Sequence, residues 1–363
     1  MVFHPTIAPY RIDFFNSLYE SFETKVCLYN TTDKTFEYDN IYSQLIFRPT
    51  LLKNFLRIGS RFLNKGYWDA LDKLKPDIVL VGEYGIGTLQ VLLHRLLKRR
   101  KYKIVSICDD SFSMLKDGND FGIQHRIARK IVVPFLNEII LVEPQSCDWY
   151  RERFGKGYYF PIIRQDEKQR DVYRRVLPLS RQLVKENNLE NKNVFLFVGR
   201  FVVLKNIDTV IEAFSKLDPN KNALILIGSG DEEVRLKQIA KKKGFKPIFT
   251  GRLEGDNLYA WYNVADYFVL ASYLEPFGAV TNEALLAGCY SLVSNKAGSR
   301  CLIEEDVNGY TFNPKDTDEL AKKMKLLVKR FPPLRPMINV KPNLMKLNYD
   351  IEMSKLIGHL NSI

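Results

Sequence analysis

The sequence is poor in cysteine and has no long apolar run. Its five cysteines are scattered, odd in number and without a Cys-x-x-Cys pair; they are Cys27, Cys108, Cys147, Cys289 and Cys301. This pattern argues against a disulfide framework and a zinc site, and it favours a reducing cytoplasm. No apolar run approaches the roughly 18 to 20 residues that a membrane-spanning helix requires. The amino-terminal residues also lack the basic start and apolar stretch of a signal peptide, so we expect a cytoplasmic chain.

Acidic residues are fewer than basic ones, 42 against 54, which gives a net charge of +12. Between Arg48 and Lys103, thirteen basic residues are opposed by only four acidic ones, which leaves a local charge of +9. Such a surface favours anionic partners, for example nucleic acid, anionic lipid or phosphorylated substrates. A lysine-rich surface that only keeps the chain in solution is the alternative.

One stretch of this basic region, residues 49–68 (PTLLKNFLRIGSRFLNKGYW), mixes apolar and basic residues. Such a segment can lie on an anionic membrane with its cations at the headgroups. The basic region, residues 47–103, is therefore a candidate surface for peripheral association with the inner face of the membrane. Two alternatives stay open: a site for a polyanionic acceptor, and an amphipathic helix packed on its own sheet.

The length of 363 residues predicts two domains. Short apolar runs alternate with longer amphipathic ones, which is typical of strand–helix units around parallel sheets. Strands are predicted at residues 25–30, 77–82, 102–107, 138–143, 193–199, 222–228, 266–272 and 290–295. Residues 157–191 interrupt this alternation with a charged stretch and are interpreted as the interdomain crossover. The predicted fold class is α/β, with two domains of similar size.

Charged residues and glycines follow the predicted strands of the second half, where parallel sheets bind ligands. Arg200 and Lys205 come after residues 193–199, and two cations there can converge on one multivalent anion. Glycine-containing turns follow the next two strands, at Gly228-Ser229-Gly230 and at Gly251-Arg252-Leu253. Taken alone, each feature is at least as typical of an ordinary surface or turn.

The stretch YLEPFGAVTNEALLAG, residues 273–288, contains two glutamates. Pro276 favours an extended or turn conformation for Glu275, which places that carboxylate outside the helix that contains Glu283. The helix start supplies backbone amides and a partial positive charge that suit phosphate, and ionised carboxylates accept hydrogen bonds from hydroxyls. The pattern therefore predicts a ligand that carries both hydroxyls and phosphates. A capped helix with one surface glutamate is the alternative.

Together these blocks resemble glycosyltransferase family 4, the retaining nucleotide-sugar transferases of the GT-B fold (glycosyl transferases group 1). The resemblance spans about residues 193–329 and rests on VGRFVVLKNIDTVIEAF, LILIGSGDEE, FTGRLEGDNLYAWYNVADYFVLAS, EPFGAVTNEALLAG and AGSRCLIEEDVNGYTFNPKD. It implies two Rossmann-like domains whose parallel sheets face each other across a cleft. Residues 1–165 would bind the acceptor, residues 166–340 the donor, and residues 341–363 would form a helix that returns to the first domain.

The resemblance also assigns roles on the donor side. Arg200 and Lys205 would hold the donor diphosphate and stabilise the charge that grows on the leaving nucleotide. Glu275 would orient the transferred sugar, and Glu283 would accept hydrogen bonds from the ribose. The full predicted donor set is Gly199, Arg200, Lys205, Gly228, Gly251, Arg252, Leu253, Glu275, Phe277, Gly278, Ala279 and Glu283. Neither a cofactor nor a metal is expected, because cations and helix dipoles replace the metal in this fold.

The first half resembles the family less closely. Tyr10 and Arg11 occupy the position of a glycine loop and are the acceptor-side candidates, with packing at a helix start as the alternative. Asp110 follows residues 102–107, where relatives often place a catalytic histidine. It would steady the acceptor or a sugar hydroxyl, and a turn that caps the next segment is the alternative. The predicted catalytic set is Arg200, Lys205, Glu275 and Asp110.

The sequence therefore predicts a retaining, metal-independent hexosyltransferase. It would move a sugar from a UDP- or GDP-sugar to a glycan or lipid-linked acceptor in polysaccharide or cell-surface glycan biosynthesis. One alternative is a catalytically inactive relative that binds nucleotide sugar or serves as a scaffold. The other is a basic nucleic-acid-binding protein, but the sequence shows no recognition-helix module or aromatic RNA platform. Nucleic acid is thus not an expected partner.

Overall fold

The computed structural model describes residues 1–29, 38–52, 54–58, 61–64, 66–117, 122–333 and 339–363. The chain divides into two compact units, Met1–Arg164 with Asp350–Ile363, and Gln165–Tyr349. Each unit is built on its own sheet, of seven strands in the first unit and six in the second. The predicted α/β class with two parallel-sheet domains is confirmed.

The strands described in the first unit are β1 (Val2–His4), β2 (Val26–Leu28), β3 (Thr50–Leu51), β4 (Asn54–Ile58), β5 (Arg61–Asn64), β6 (Ile78–Gly82), β7 (Lys103–Cys108), β8 (Glu138–Leu141) and β9 (Tyr158–Tyr159). Seven of them form a parallel sheet in the order β3-β2-β1-β6-β7-β8-β9. The other two, β4 and β5, form a separate antiparallel pair.

The helices described in this part of the chain are α1 (Ile12–Ser21), α2 (Tyr38–Ser43), α3 (Gly66–Leu74), α4 (Ile86–Leu97), α5 (Phe112–Asp117), α6 (Ile123–Val132) and α7 (Pro144–Phe154). Single 3-10 turns occupy Pro9–Arg11 and Val133–Phe135. The core packs strand residues such as Val81, Ile104 and Ile139 against helix residues such as Val91 and Tyr150.

The second unit contains α8 (Asp166–Arg175), α9 (Leu177–Glu186), β10 (Asn193–Val198), α10 (Ile207–Phe214), β11 (Asn222–Ile227), α11 (Glu233–Lys242), β12 (Ile248–Gly251), α12 (Gly255–Val264), β13 (Tyr267–Leu270), α13 (Val280–Leu286), β14 (Tyr290–Ser294), β15 (Gly309–Phe312) and α14 (Thr317–Arg330). Its sheet is parallel in the order β12-β11-β10-β13-β14-β15. Phe195 and Phe197 enter one core cluster and Val194 and Leu196 another, so β10 is buried on both faces.

The last helix, α15 (Tyr349–Ser362), belongs to the first unit from Asp350 onward. Met353, Leu356 and Leu360 are buried at helical spacing and form the apolar stripe that holds it. His359 hydrogen-bonds Glu138 at 2.9 Å. The carboxyl-terminal helix therefore returns to the first domain, as predicted.

Two sequence interpretations require correction. Residues 49–68 do not form an amphipathic helix, because their described part contains β3, β4 and β5. The sequence signal that was missed is the Gly-Ser pair at 59–60, because such a pair between two strand-like runs is typical of a hairpin. Residues 59–60, and Lys53 and Lys65 of the basic region, lie outside the described residues. Residues 157–191 are not only a crossover, since they form α8 and α9. None of the helices in the described ranges has the length and hydropathy needed to cross a bilayer.

Candidate functional site

The strand order of the second unit reverses at its centre. On one side of β10 the neighbouring strands are β11 and then β12. On its other side they are β13, β14 and then β15. The connections after β10 and β13 therefore diverge, and open parallel sheets bind ligands at such a point. Arg200 and Lys205 follow β10, and Glu275 follows β13. The predicted residues thus lie at the reversal of this sheet.

A cation and a carboxylate meet at this reversal. The Lys205 ammonium contacts Glu275 Oε2, and the Ser272 hydroxyl donates to the same oxygen at 3.2 Å. The side chains of Lys205 and Glu275 are only 19% and 14% exposed, so their charges interact more strongly than at an open surface. Arg200 begins the same loop and is exposed.

Asn206 ties the two loops together. It has φ 54° and is 1% exposed. Its Nδ2 donates to the carbonyls of Ala271 at 3.0 Å and Pro314 at 2.7 Å, and its Oδ1 accepts from the Thr209 hydroxyl at 2.7 Å. Sequence reasoning missed this residue. The available signal was an asparagine directly after Lys205, because asparagine tolerates the left-handed conformation.

The turn from Glu275 to Gly278 is held by its backbone. The Glu275 amide donates to the Lys296 carbonyl at 3.3 Å, and the Glu275 carbonyl accepts from the Gly298 amide at 3.1 Å. Gly278 has φ 94°, and a Cβ there would lie 2.6 Å from Leu270 Cδ2. Only glycine fits this close approach without a shift of its neighbours. The backbone therefore places Glu275 beside Lys205.

Glu283 lies in the first turns of α13, half-buried. The Tyr262 hydroxyl donates to Glu283 Oε2 at 3.1 Å, and the Tyr173 hydroxyl donates to the Glu283 carbonyl at 2.8 Å. Burial, reinforced by Glu283, raises the pKa of Tyr262, so this hydroxyl remains a donor. Of the predicted residues between the two glutamates, Phe277 is 2% exposed and Ala279 is the N-cap of α13. Tyr262 was not predicted, since nothing local marks a helical tyrosine as a partner of Glu283.

The Gly-Ser-Gly turn after β11 packs directly on the loop after β10. A Cβ on Gly228 would lie 1.8 Å from the Gly199 carbonyl oxygen, and one on Gly230 would lie 2.3 Å from the Phe201 carbonyl oxygen. Their φ angles are 144° and 156°. Both glycines are therefore required by the close approach of two backbones at the reversal point.

The third predicted turn follows β12. The Gly251 carbonyl accepts from the Gly228 amide at 2.9 Å, which connects this turn to the preceding one. Arg252 is exposed and pairs with Glu254, and Leu253 is half-buried. The structure thus brings the turns after β11 and β12 to neighbouring positions on the sheet edge.

In the first unit, the sheet order reverses between β1 and β6. Tyr10 and Arg11 follow β1 in the turn Pro9–Arg11, and Tyr10 is half-buried. Arg11 is 4% exposed, and its guanidinium contacts Asp109 Oδ1, which follows β7. The predicted acceptor-side residues are therefore near a reversal point of their own sheet, and Arg11 is paired with a carboxylate.

Asp110 is enclosed within the first unit and is 1% exposed. Its Oδ2 accepts from the hydroxyls of Tyr84 at 2.8 Å and Tyr150 at 2.6 Å, and lies 3.0 Å from Arg129 Nη2. His125 Nε2 lies 4.0 Å from Asp110 Oδ1. Burial raises the pKa of Tyr150, so its hydroxyl stays a donor. The Asp110 carboxylate thus binds groups of the first unit's interior and, among the described residues, makes no contact that caps the next segment, and its catalytic role stays a prediction.

The second unit therefore offers cations, carboxylates and close backbone turns at one sheet edge. Ammonium and guanidinium groups bind phosphate, and carboxylates accept from sugar hydroxyls. Within the described ranges, no group of three His, Cys, Asp or Glu side chains could hold a metal ion. This set of groups suits a sugar joined to a diphosphate.

Comparison with known proteins agrees with this chemistry. Residues 180–339 match the family model described as glycosyl transferases group 1. The chain carries a domain of the glycosyl transferases group 1 family. The match contains the donor-side residues from Gly199 to Glu283, and the predicted family is confirmed.

Among curated relatives, an uncharacterized glycosyltransferase of Methanocaldococcus jannaschii is 37% identical over 135 residues, which are 36% of this chain and 35% of the relative. An uncharacterized glycosyltransferase of Haemophilus influenzae is 25% identical over 80% of this chain and 79% of its own length. The chain thus spans about a third of the length of the first relative and most of the second.

Among solved structures, Anabaena Alr3699/HepE in complex with UDP has a TM-score of 0.76 at 15% identity, covering 100% of this chain and 99% of that one. The complex of the same protein with UDP-glucose has a TM-score of 0.74. At this identity the likeness shows the fold, which is the predicted GT-B fold.

Proposed function

We propose that the protein transfers a sugar from a nucleotide-diphosphate sugar and that the second unit holds this donor. The observation that carries the proposal is the contact of Lys205 with Glu275 at the reversal of the sheet, inside the group 1 domain. An ammonium beside a carboxylate matches a donor whose sugar hydroxyls adjoin a diphosphate. The UDP and UDP-glucose complexes of the Anabaena protein favour a UDP-sugar over a GDP-sugar.

In this proposal Lys205 and Arg200 bind the diphosphate and stabilise the charge that develops on the leaving nucleotide. The Lys205 ammonium has three donors, so it can contact Glu275 and a phosphate oxygen together. Glu275 accepts hydrogen bonds from the transferred sugar. Glu283 accepts from the ribose while Tyr262 holds its carboxylate.

Backbone groups complete the proposed donor site. The amides near Phe277, Gly278 and Ala279 bind sugar or phosphate oxygens. Gly199 and Gly228 belong to the proposed donor set as the backbone of the two turns that meet at the reversal point. The turn Gly251-Arg252-Leu253 lies against the base. These assignments follow the family resemblance, and the packing of Gly228 on Gly199 holds the two turns together beside Arg200.

We further infer a hexosyl transfer that retains the donor configuration, which follows the family resemblance. The transfer needs no metal, because Arg200 and Lys205 supply the positive charge. The acceptor is a glycan or lipid-linked glycan of polysaccharide or cell-surface biosynthesis, bound by the first unit near Tyr10 and Arg11. A lipid-linked acceptor requires contact with the cytoplasmic face of the membrane, for which the basic region 47–103 was the candidate surface.

A thermal-shift panel of uridine-, guanosine- and adenosine-diphosphate sugars, with and without chelator, tests the donor site. A donor at about one hundred times its Kd stabilises the protein by roughly 2.7 kcal/mol, which is several degrees. We expect a chelator-insensitive shift with the UDP-sugar. Glu283→Ala should abolish this shift, whereas Glu212→Ala, on the half-exposed face of α10, should retain it.

Other outcomes decide between the alternatives. A shift without donor hydrolysis or transfer to any acceptor would indicate the inactive or scaffold relative. No shift with any of the donors would refute the proposed donor site. A product whose new linkage has the inverted anomeric configuration, read by NMR, would refute retention alone.

A further inference from the structure

Helix α6 packs on the first unit through Val132 and two polar side chains. His125 and Arg129 are 6% and 4% exposed, and Arg129 contacts the buried Asp110. By contrast, Ile123, Ile127 and Ile131 are 66%, 51% and 56% exposed. A helix on a protein surface normally buries its apolar stripe and exposes its polar one. Helix α6 instead buries two polar side chains beside Val132 and leaves its isoleucine stripe exposed, which the sequence alone did not indicate.

The exposed isoleucines form one stripe, because residues four apart lie above one another on a helix. Phe135, 63% exposed, follows in the next turn. Helix α4 carries a second exposed stripe, formed by Leu89, Leu93, Leu96 and Leu97. Both helices cover the same core cluster, and Arg95 of α4 donates to the Phe135 carbonyl at 2.7 Å. The two stripes therefore belong to one side of the first unit.

Cations accompany both stripes, and only part of them is paired with carboxylates: Asp72 of α3 lies 2.7 Å from Arg100 and 3.8 Å from Lys98. Residues 86–103 contain six Lys and Arg, residues 123–135 contain three, and neither segment has an Asp or Glu. The exposed ones include Arg99, Lys101, Arg126 and Lys130. Beyond the end of α4, four basic side chains and one carboxylate line a cavity of about 520 Å³; they are Lys75, Arg100, Lys101, Lys103 and Asp77.

We propose that this α4–α6 surface, defined by the eight exposed apolar residues named above and their flanking cations, docks on an anionic lipid bilayer. The aliphatic side chains enter the boundary of the acyl chains, and the Lys and Arg side chains stay at the headgroup phosphates. The inference rests on the membrane association within the proposed function, but not on the transfer reaction. In this proposal the exposed residues of α4 and α6, and not residues 49–68, form the apolar part of the membrane contact.

The charge and the apolar residues of this surface favour an anionic bilayer over a second copy of the chain and over nucleic acid. A second copy that docked through the same face would oppose cation to cation across an isologous interface. Nucleic acid would use the cations for its phosphates but would leave the aliphatic stripes uncovered. An anionic bilayer matches both the apolar and the cationic side chains.

Co-sedimentation with vesicles tests this surface. Wild type should bind phosphatidylcholine vesicles that contain phosphatidylglycerol, should not bind pure phosphatidylcholine, and should dissociate as salt is raised. The variant with Ile127→Ser and Ile131→Ser should bind at least tenfold more weakly, and so should the variant with Arg126→Gln and Lys130→Gln. Val234→Ser, at a 69% exposed valine of the second unit, should bind like wild type.

Each variant should keep the UDP-sugar-induced thermal shift, which separates a loss of docking from a loss of donor binding and checks the fold. Equal vesicle binding by the isoleucine variant and wild type would overturn the proposal, as would no preference for anionic vesicles. A wild-type dimer that the isoleucine variant converts to a monomer in light scattering would make a second copy the occupant. Binding to duplex DNA but not to vesicles would make nucleic acid the partner.

Discussion

At the scale of single residues, Lys205 and Glu275 show how a charged pair is placed before a ligand binds. Both side chains are mostly removed from solvent. Asn206 fixes the loop of one, and the backbone bonds to Lys296 and Gly298 fix the loop of the other. Because these two side chains are already ordered, the binding of a donor costs less free energy for ordering them. Removal of one partner would leave a partly buried charge without compensation.

His4 predicts a pH dependence of stability. It ends β1, and burial lowers the pKa of its imidazole from 6.5 to about 4. The unfolded chain therefore binds this proton more readily than the native state. The contribution of His4 is complete above pH 6.5 and decreases as the pH falls from 6.5 towards 4. Between pH 7 and pH 5 the loss from this group is about 2 kcal/mol.

Urea unfolding of wild type and His4→Asn at pH 7 and pH 5 measures this effect. Asparagine retains an N–H that can donate to the Thr6 carbonyl, the partner of the His4 ring, but it does not titrate. The variant should lose about 2 kcal/mol less than wild type between the two pH values. Between pH 7 and pH 8.5 both proteins should change equally, and an unchanged difference between pH 7 and pH 5 would contradict the prediction.

At the scale of elements, α6 depends on one buried cluster. Its exposed isoleucines contribute little to packing on the first unit, so the buried side chains of Arg129, His125 and Val132 hold it. Arg129 Nη2 approaches Asp110, and its Nε donates to the Tyr84 hydroxyl at 3.1 Å. Asp110 therefore positions the helix that carries the proposed membrane stripe.

Asp110→Asn should destabilise the protein by about 3 kcal/mol or more, because it leaves the Arg129 guanidinium buried without its counter-charge. Urea unfolding measures this loss. Asp148→Asn is the control: Asp148 pairs with Arg151 at 3.1 Å and both side chains are more than half exposed, so the change should cost about 1 kcal/mol or less. An Asp110→Asn protein of wild-type stability that had lost transfer would instead support the catalytic role predicted from the sequence.

The strands of the second unit could be predicted from the sequence, whereas the packing of α6 could not. The apolar runs that became β10, β11, β13 and β14 are local signals, and the residues after such strands must meet at one sheet edge. The strand pattern therefore predicts the neighbourhood of Lys205 and Glu275. The burial of Arg129 and His125 on α6 depends on Asp110, Tyr84 and Tyr150, which lie outside the helix along the chain. For the same reason, the partnership of Tyr262 with Glu283 was beyond prediction.

At the scale of the whole molecule, the reactivity of the free thiols measures how accessible the interiors of both units are. Cys27, Cys108, Cys147 and Cys289 are buried, whereas Cys301 is partly exposed. Burial raises the pKa of Cys27 to about 11 and that of Cys147 to about 12, which keeps the reactive thiolate scarce at pH 8. The sequence indicated unpaired cysteines but not which of them reagents can reach.

Titration with Ellman's reagent at pH 8 should therefore give one fast thiol in the native protein and five in guanidinium chloride. Cys301→Ser should remove the fast reaction and leave four thiols after unfolding. Two or more fast thiols in wild type would mean that one of the units opens on the timescale of the reaction. Fewer than five thiols in denaturant without reductant would contradict free cysteines.

The placement of α15 has a consequence for biosynthesis. Leu356 is fully buried in the first unit, yet it follows the entire second unit along the chain. On the ribosome, residues 1–164 must wait for about 185 further residues before this helix exists. The second unit, which is continuous, can complete its core earlier. The unit that begins first is therefore finished last, and a chain that terminates before Tyr349 leaves the ribosome with an uncovered surface that chaperones and proteases can recognise.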